Sequence, residues 1–366
     1  MLDKNTPISR RDFIKNSILS LGSVMILPKL QAYQYLLQNF PEGEYLARNT
    51  VYLPNTVPLR TKPNIESALI RNLNEDECLV WLREVVGAAP LGSYHRKWVE
   101  TPEGYVYLPR VQKVQNKPNQ PITSLPQVGE EKGCWMEVTV PYVILQLVNP
   151  PARAPWLQEA SPNLWRLYYS QVVWVDDISI NDEGIVFYRV NEKFGYGDIF
   201  WAEASAFRQV QPEEITPIHP DVQDKQIIVN VNHQTLSCYE DNKEVYFCRV
   251  STGLVTDDLK LITPPGEFWI WRKMVSTHMS GGGTGAGWDT MGIPWTCLFI
   301  GEGIAVHSTF WHNDFGAKRS HGCVNAQPDD AKWIFRWTKP YIDYYPGDLT
   351  DNTFTSTKIK VIEPLY

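Results

Sequence analysis

The chain is short of the features that mark several large protein classes. It has only six cysteines in 366 residues, scattered from Cys78 to Cys323, which is no disulfide framework. The cysteines and the seven histidines nowhere fall at metal-ligand spacing, so no structural zinc site is expected. Positive charge is scarce. The net charge is −7, and Lys4, Arg10, Arg11, Lys15 and Lys29 against Asp3 and Asp12 give the first forty residues +3, leaving −10 for the rest. That balance argues against nucleic acid as a partner. After residue 40 there is no apolar run long enough to span a bilayer. What remains, 43% hydrophobic and 20% charged, reads as a folded, soluble protein. Its length asks for two or three domains.

The first forty residues stand apart. Ser9-Arg10-Arg11-Asp12-Phe13-Ile14-Lys15 matches a twin-arginine export signal, and an eleven-residue apolar run, Ser17 to Leu27, follows it. That run suits a signal and is too short to cross a membrane alone. No small-x-small cleavage site follows Pro28, so retention as an N-terminal membrane anchor stays open beside cleavage. The expected address is the cell envelope.

The chemistry is concentrated late in the chain. Ser320-His321-Gly322-Cys323-Val324-Asn325 sets a cysteine in a tight turn, and His307-Ser308-Thr309 lies upstream across a spacer of twelve residues, Ser308 to Arg319. These are the parts of a thiol nucleophile: a thiolate, a base and backbone N–H groups for an oxyanion. The stretch resembles the signature of the YkuD-type L,D-transpeptidases, which remodel peptidoglycan. Four other pieces support the resemblance in order: the opening strand pair around Lys225-Val231 and Glu244-Val250, Ser251-Thr252-Gly253, Thr263-Pro264-Pro265-Gly266-Glu267-Phe268, and Met291-Gly292-Ile293-Pro294-Trp295. Together they cover about residues 222 to 362.

The resemblance implies Cys323 as nucleophile, His307 as its base, Ser308 as the residue that orients the histidine, and His321 as an assistant. Gly322 leaves the turn unobstructed, and the N–H groups of His321, Gly322 and Cys323 are the expected oxyanion donors. Ser320, Asn325, Trp311 and Trp295 are expected to hold the loop or wall the substrate. A free thiol is mostly protonated at neutral pH, so a base or cation must lower its pKa. The helix expected over Pro328–Trp337, with Pro at its start and acids in its first turn, is a candidate source of that field. His312 reads as a solvated loop residue or, alternatively, as a substrate contact. His278 opens a Gly-rich stretch running to Trp288, expected to be a flexible lid over the cleft, with a bare linker as the alternative. No cofactor and no metal are implied.

The fold class expected is mainly β: small barrel modules, then a β-rich catalytic domain with one short helix after the nucleophile. Residues 45–117 resemble a bacterial SH3-like module, on Pro58-Leu59-Arg60, the apolar strand Cys78–Leu82, Trp98-Val99 and Gly104–Tyr107. Residues 128–210 read as a second, diverged module with the same aromatic strand, Gly-led hairpin and closing aromatic, and 222–366 as the catalytic domain. Linkers are expected over Val111–Glu130 and Gln211–Pro220. The dense Trp and Tyr of the modules either fill small cores or line a groove for glycan or wall polymer. Cys238 and Cys248 flank a hairpin turn and are either disulfide-bonded or free.

The activity implied is attack on the bond between the third residue and the terminal D-Ala of a peptidoglycan tetrapeptide stem, through a thioester, with transfer to an amine of a second stem as a 3→3 cross-link. Water as acceptor makes it an L,D-carboxypeptidase, and a protein amine makes it a wall-anchoring enzyme. A wall-binding protein with an idle catalytic domain is the reading from another class. A papain-like protease is disfavoured, because its cysteine precedes its histidine.

Overall fold

The computed structural model describes residues 40–51, 55–159, 165–192, 195–254, 262–281, 288–301 and 303–364. The expected leader, but for residue 40, and residues 282–287 of the expected lid lie outside them. The described chain is mainly β. Its two α-helices are α1 (Pro155–Glu159) and α2 (Pro328–Trp337). Among the described residues no helix is long and apolar enough to cross a membrane.

The first unit is built from two small sheets. Five strands pair in the order 69–73, 57–60, 105–107, 97–100, 83–86, and three more in the order 78–80, 46–49, 111–114. The expected single strand Cys78–Leu82 is divided between them. Trp81 N–H bonds to the Tyr45 carbonyl and Leu82 N–H to that of Glu100, so the chain changes sheet at that point. The expected linker from Val111 opens with a strand, since Val111–Val114 pairs along Leu46–Asn49. Leu59, Val99, Val106 and Val111 form a dry core.

The second unit is a six-stranded antiparallel sheet with its own core around Met136, Leu167, Tyr188 and Phe207. It ends as the first unit does: strand Ile199–Glu203, a 3₁₀ turn Ala204–Ala206, then strand Phe207–Gln209 paired with the unit's opening strand. The corresponding pieces above are Tyr105–Tyr107, Leu108–Arg110 and Val111–Val114. Trp98, Trp135 and Trp174 are buried, so these aromatics fill cores. The Pro-rich stretch after residue 211 is tied down: its 3₁₀ turn Pro212–Ile215 carries Glu214, which pairs with Arg208 and Lys332.

The third unit stacks two five-stranded sheets. One runs 243–249, 235–240, 225–230, 358–362, 266–269; the other runs 324–326, 304–308, 288–300, 272–281, 348–350. Asp241 and Asn242 have φ of 46° and 66°, the left-handed pair of a two-residue hairpin turn. The register sets Cys238 opposite Tyr246 and Cys248 opposite Leu236. The two thiols are not facing partners and both are free. Helix α2 buries Ala331, Ile334, Phe335 and Trp337 beneath the second sheet. Two buried lysines finish it: Lys273 Nζ donates to the carbonyls of Phe335 and Thr338, and Lys225 Nζ to that of Trp337. Cations there answer the unpaired carbonyls of the last turn.

Candidate active site

Strands Ile304–Ser308 and Val324–Ala326 lie side by side in parallel, with Val306 opposite Val324, His307 opposite Asn325 and Ser308 opposite Ala326. A parallel pair needs a crossover connection. Here residues 309–323 make it, and they carry the nucleophile turn. Cys323 sits one residue before the second strand, half-buried, with Sγ 3.2 Å from the Gly303 carbonyl. Cys323 and His307 line one cleft of roughly 680 Å³, with Trp311, His312, Arg319, Ser320, His321 and Asn325.

His307 is 2% exposed. Its Nδ1 is 2.8 Å from the Ser308 carbonyl, which only accepts, so Nδ1 carries the proton and Nε2 keeps its lone pair. Burial lowers its pKa to about 4, against which the Ser308 bond pulls weakly. The ring is neutral at pH 7, and Trp311 tilts over it at 5.7 Å. Burial likewise raises the Cys323 thiol to about 11, the Ala305 N–H opposing. The resting pair is therefore thiol and neutral imidazole, with no thiolate prepared in advance. The helix expected to favour a thiolate begins only after the strand that follows Cys323. Four extended residues, roughly 13 Å, separate them, whereas a helix dipole acts over its first turn.

The nucleophile turn is braced by the motifs that announced it. Gly322 has φ of 121°, and a Cβ there would stand 3.3 Å from the Ile262 carbonyl and from Ile304. Thr263 Oγ1 donates to the Gly322 carbonyl (2.6 Å) and accepts the Gly253 N–H (2.9 Å). The Thr252 carbonyl accepts the N–H groups of Arg319 and Ser320, and Ser251 pairs with Asn325. Ser320 Oγ donates to the Cys323 carbonyl and accepts the Gly322 N–H at 3.1 Å. Gly322 N–H is thus already engaged by Ser320, so of the three expected oxyanion donors this one is taken.

Two residues stand elsewhere than the sequence suggested. Trp295 does not wall the cleft: it is 1% exposed, packed edge-on against Phe335 with Lys332 Nζ 5.0 Å from its ring. His312 is no solvated loop residue. It is 4% exposed, its Nδ1 accepts the Asp314 N–H, and its Nε2 lies 3.0 Å from Asn325 Nδ2. Burial, then the charge of Arg319, lowers its pKa to about 3. His321 is exposed at the cleft mouth, its pKa lowered by partial burial. The Oγ of Ser308 is buried with no hydrogen-bond partner, so the carbonyl of that residue, and not its hydroxyl, holds His307.

Sequence reasoning passed over the far end of the cleft. His278, on strand Arg272–Gly281, is clamped between Glu192 Oε1 of the second unit (2.5 Å) and Asp289 Oδ1. Burial opposes its charge, but the hydrogen bonds and charges of Glu192 and then Asp289 outweigh that and raise its pKa. Glu192 is 86 residues away in the chain, and no local pattern pointed to it.

Residues 224–361 match the family model of the YkuD L,D-transpeptidase catalytic domain. The third unit thus carries the match to an L,D-transpeptidase catalytic domain, behind two further β-rich units. No curated protein matches the chain. Solved structures similar to it include a mutant L,D-transpeptidase from Enterococcus faecium (21% identity, 39% of this chain and 52% of that one, TM-score 0.30). Others are an L,D-transpeptidase from Mycobacterium smegmatis (16%, 51% and 98%, 0.31) and one from Stackebrandtia nassauensis (23%, 42% and 65%, 0.26). This chain spans about half the length of the Enterococcus chain. Likenesses at these scores carry no argument about its chemistry.

Proposed function

We propose that the protein is an exported, cysteine-dependent L,D-transpeptidase acting on peptidoglycan stem peptides. The observation that carries the reading is His307, buried and neutral, with Nδ1 tied to the Ser308 carbonyl and Nε2 free to take a proton, in the cleft that holds Cys323. Cys323 Sγ attacks the carbonyl before the terminal D-Ala, and His307 Nε2 takes the thiol proton as the bond forms. Backbone N–H groups of the nucleophile turn stabilise the developing oxyanion. The C–N bond breaks, the proton passes to the leaving D-Ala amine, and a thioester remains. An amine of a second stem then attacks the thioester, gives up its proton to His307, and frees the thiol. Arg319 on the cleft wall, its Nε 3.4 Å from Asp314, suits a carboxylate of such a stem. The leader Ser9–Leu27 supports export to the envelope.

The test is mass spectrometry of a disaccharide-tetrapeptide incubated with the protein and with Cys323→Ala. Cross-linked dimer and free D-Ala, both absent with the variant, are expected. Tripeptide alone moves the assignment to an L,D-carboxypeptidase. No product, together with a Cys323 no more reactive to a thiol label than Cys78 or Cys297, leaves a wall-binding protein.

A further inference from the structure

The loop that carries Trp311 and His312 is held from outside its own domain. Arg48, on the first unit's opening strand, is 1% exposed. Its Nη2 donates to the Phe310 carbonyl at 2.9 Å and to Gln112 Oε1, and its Nη1 donates to Asp76 Oδ1 at 2.6 Å. Asp76 Oδ2 accepts Arg166 Nη1 at 2.6 Å and Tyr168 Oη at 3.2 Å, both from the second unit. The Tyr168 ring meets the Arg48 guanidinium, 4.2 Å from its centroid, and stacks with the Phe310 ring at 5.8 Å. One buried carboxylate thus joins the first two units, and Arg48 carries the network on to the third, to the backbone of the residue before Trp311. Further along the loop, Asn313 N–H reaches the Pro109 carbonyl, and His95 Nε2 lies 2.7 Å from the Phe315 carbonyl.

On its other side the loop touches the chemistry. Trp311 covers His307, and His312 bonds Asn325, the strand partner of His307. A planar guanidinium held by Asp76 and Gln112 presents one N–H of fixed direction to the Phe310 carbonyl, which sets position more sharply than apolar contact does. A misplacement of about 1 Å at a catalytic group can lower a rate about a hundredfold.

We propose that the first unit is a working part of the catalytic centre: Arg48, through the Phe310 carbonyl, and His95, through that of Phe315, are positioning residues that seat Trp311 on His307 and His312 on Asn325. This rests on the reading of Cys323 and His307 as nucleophile and base. It makes the first unit a determinant of the rate of thioester formation, whatever it binds besides.

The test follows two signals in the full chain, with Arg48→Met, Arg48→Lys and His95→Phe. One is the rate of acylation by a carbapenem, measured well below each variant's unfolding midpoint. The other is the titration of the His307 ring by histidine-labelled NMR; His312 is the titratable neighbour whose signal must be resolved from it. Arg48→Met is expected to acylate at least tenfold more slowly and to move the His307 midpoint upward from about 4, as the ring loses its cover. Arg48→Lys is expected to restore part of both, and His95→Phe to lower the rate several-fold. If Arg48→Met does not fold, the other two variants carry the test. Acylation within twofold of wild type with an unmoved His307 midpoint in the folded variants overturns the proposal. A His307 midpoint that moves in a protein whose Cys323 no carbapenem acylates keeps the positioning role and removes the transpeptidase reading.

Discussion

Two histidines on one cleft are treated in opposite ways. His307 is buried with a single backbone carbonyl for company, and its pKa falls to about 4; His278 is buried between two carboxylates, and its pKa rises. Burial disfavours the charged ring at both places, and at His278 the two carboxylate partners reverse the sign. A carbonyl fixes a tautomer and leaves a lone pair to receive a proton. Two carboxylates keep the proton and turn the ring into a clasp, here between the second unit's Glu192 and the catalytic hairpin's Asp289. One ring is built to exchange a proton, the other to hold one.

The contrast breaks most sharply by substitution. His307→Gln is expected to slow acylation of Cys323 by 10²- to 10⁴-fold, the usual worth of a general base. His278→Gln is expected to leave it within a few-fold, measured as single-turnover thioester formation by mass. Equal losses would make the proton-holding ring a second base. Next in size, His278→Gln leaves two carboxylates facing each other with no cation between them. Breaking a buried pair from one side costs about 3 kcal/mol or more, read from urea unfolding at pH 7; no change would mean the clasp is solvated.

The pH dependence of stability separates the two without mutation. His307 and His312 have folded pKa values of about 4 and 3, below the unfolded value of about 6.5. Below that value the unfolded chain binds protons the folded chain refuses. Their contribution is present above pH 6.5 and is lost as pH falls, about 3 kcal/mol for His307 by pH 4. His278 runs the other way: its raised pKa makes its contribution full below pH 6.5 and lost as pH climbs through the folded value. His312→Asn should flatten the acid side of the unfolding curve and His278→Gln the neutral-to-alkaline side. The smallest effect expected is at Thr263→Val, which leaves the Gly253 N–H and Gly322 carbonyl unpaired. A loss of about 1–3 kcal/mol and a few-fold slower acylation would follow.

What could be read from the sequence was what is local. Ser251-Thr252-Gly253, Thr263 and the Ser320–Asn325 turn are contiguous runs whose backbone demands show in their residue types, and the structure gathers them on one brace. The Asp241-Asn242 turn and helix α2 were visible for the same reason. What stayed hidden depends on distant partners. Trp295 could pass for a cleft wall because its burial is decided by Phe335, 40 residues on, and His312 for a loop residue because Asn325 lies across the strand pair. Arg48 gave no hint of its place, since its carbonyl partner is 262 residues away. Composition counts a buried arginine and a solvated one alike.

The two tryptophans of the second unit, Trp135 and Trp174, belong to the same apolar cluster as Ile227, Trp295 and Phe335 of the catalytic domain. Trp135 N–H and Nε1–H are both spent on Tyr344. A gene cut near residue 222 would therefore divide one continuous interior. The catalytic cassette cannot be handed to another protein by fusion alone; it would arrive with an open flank, and its new neighbour would have to supply indole where this one does.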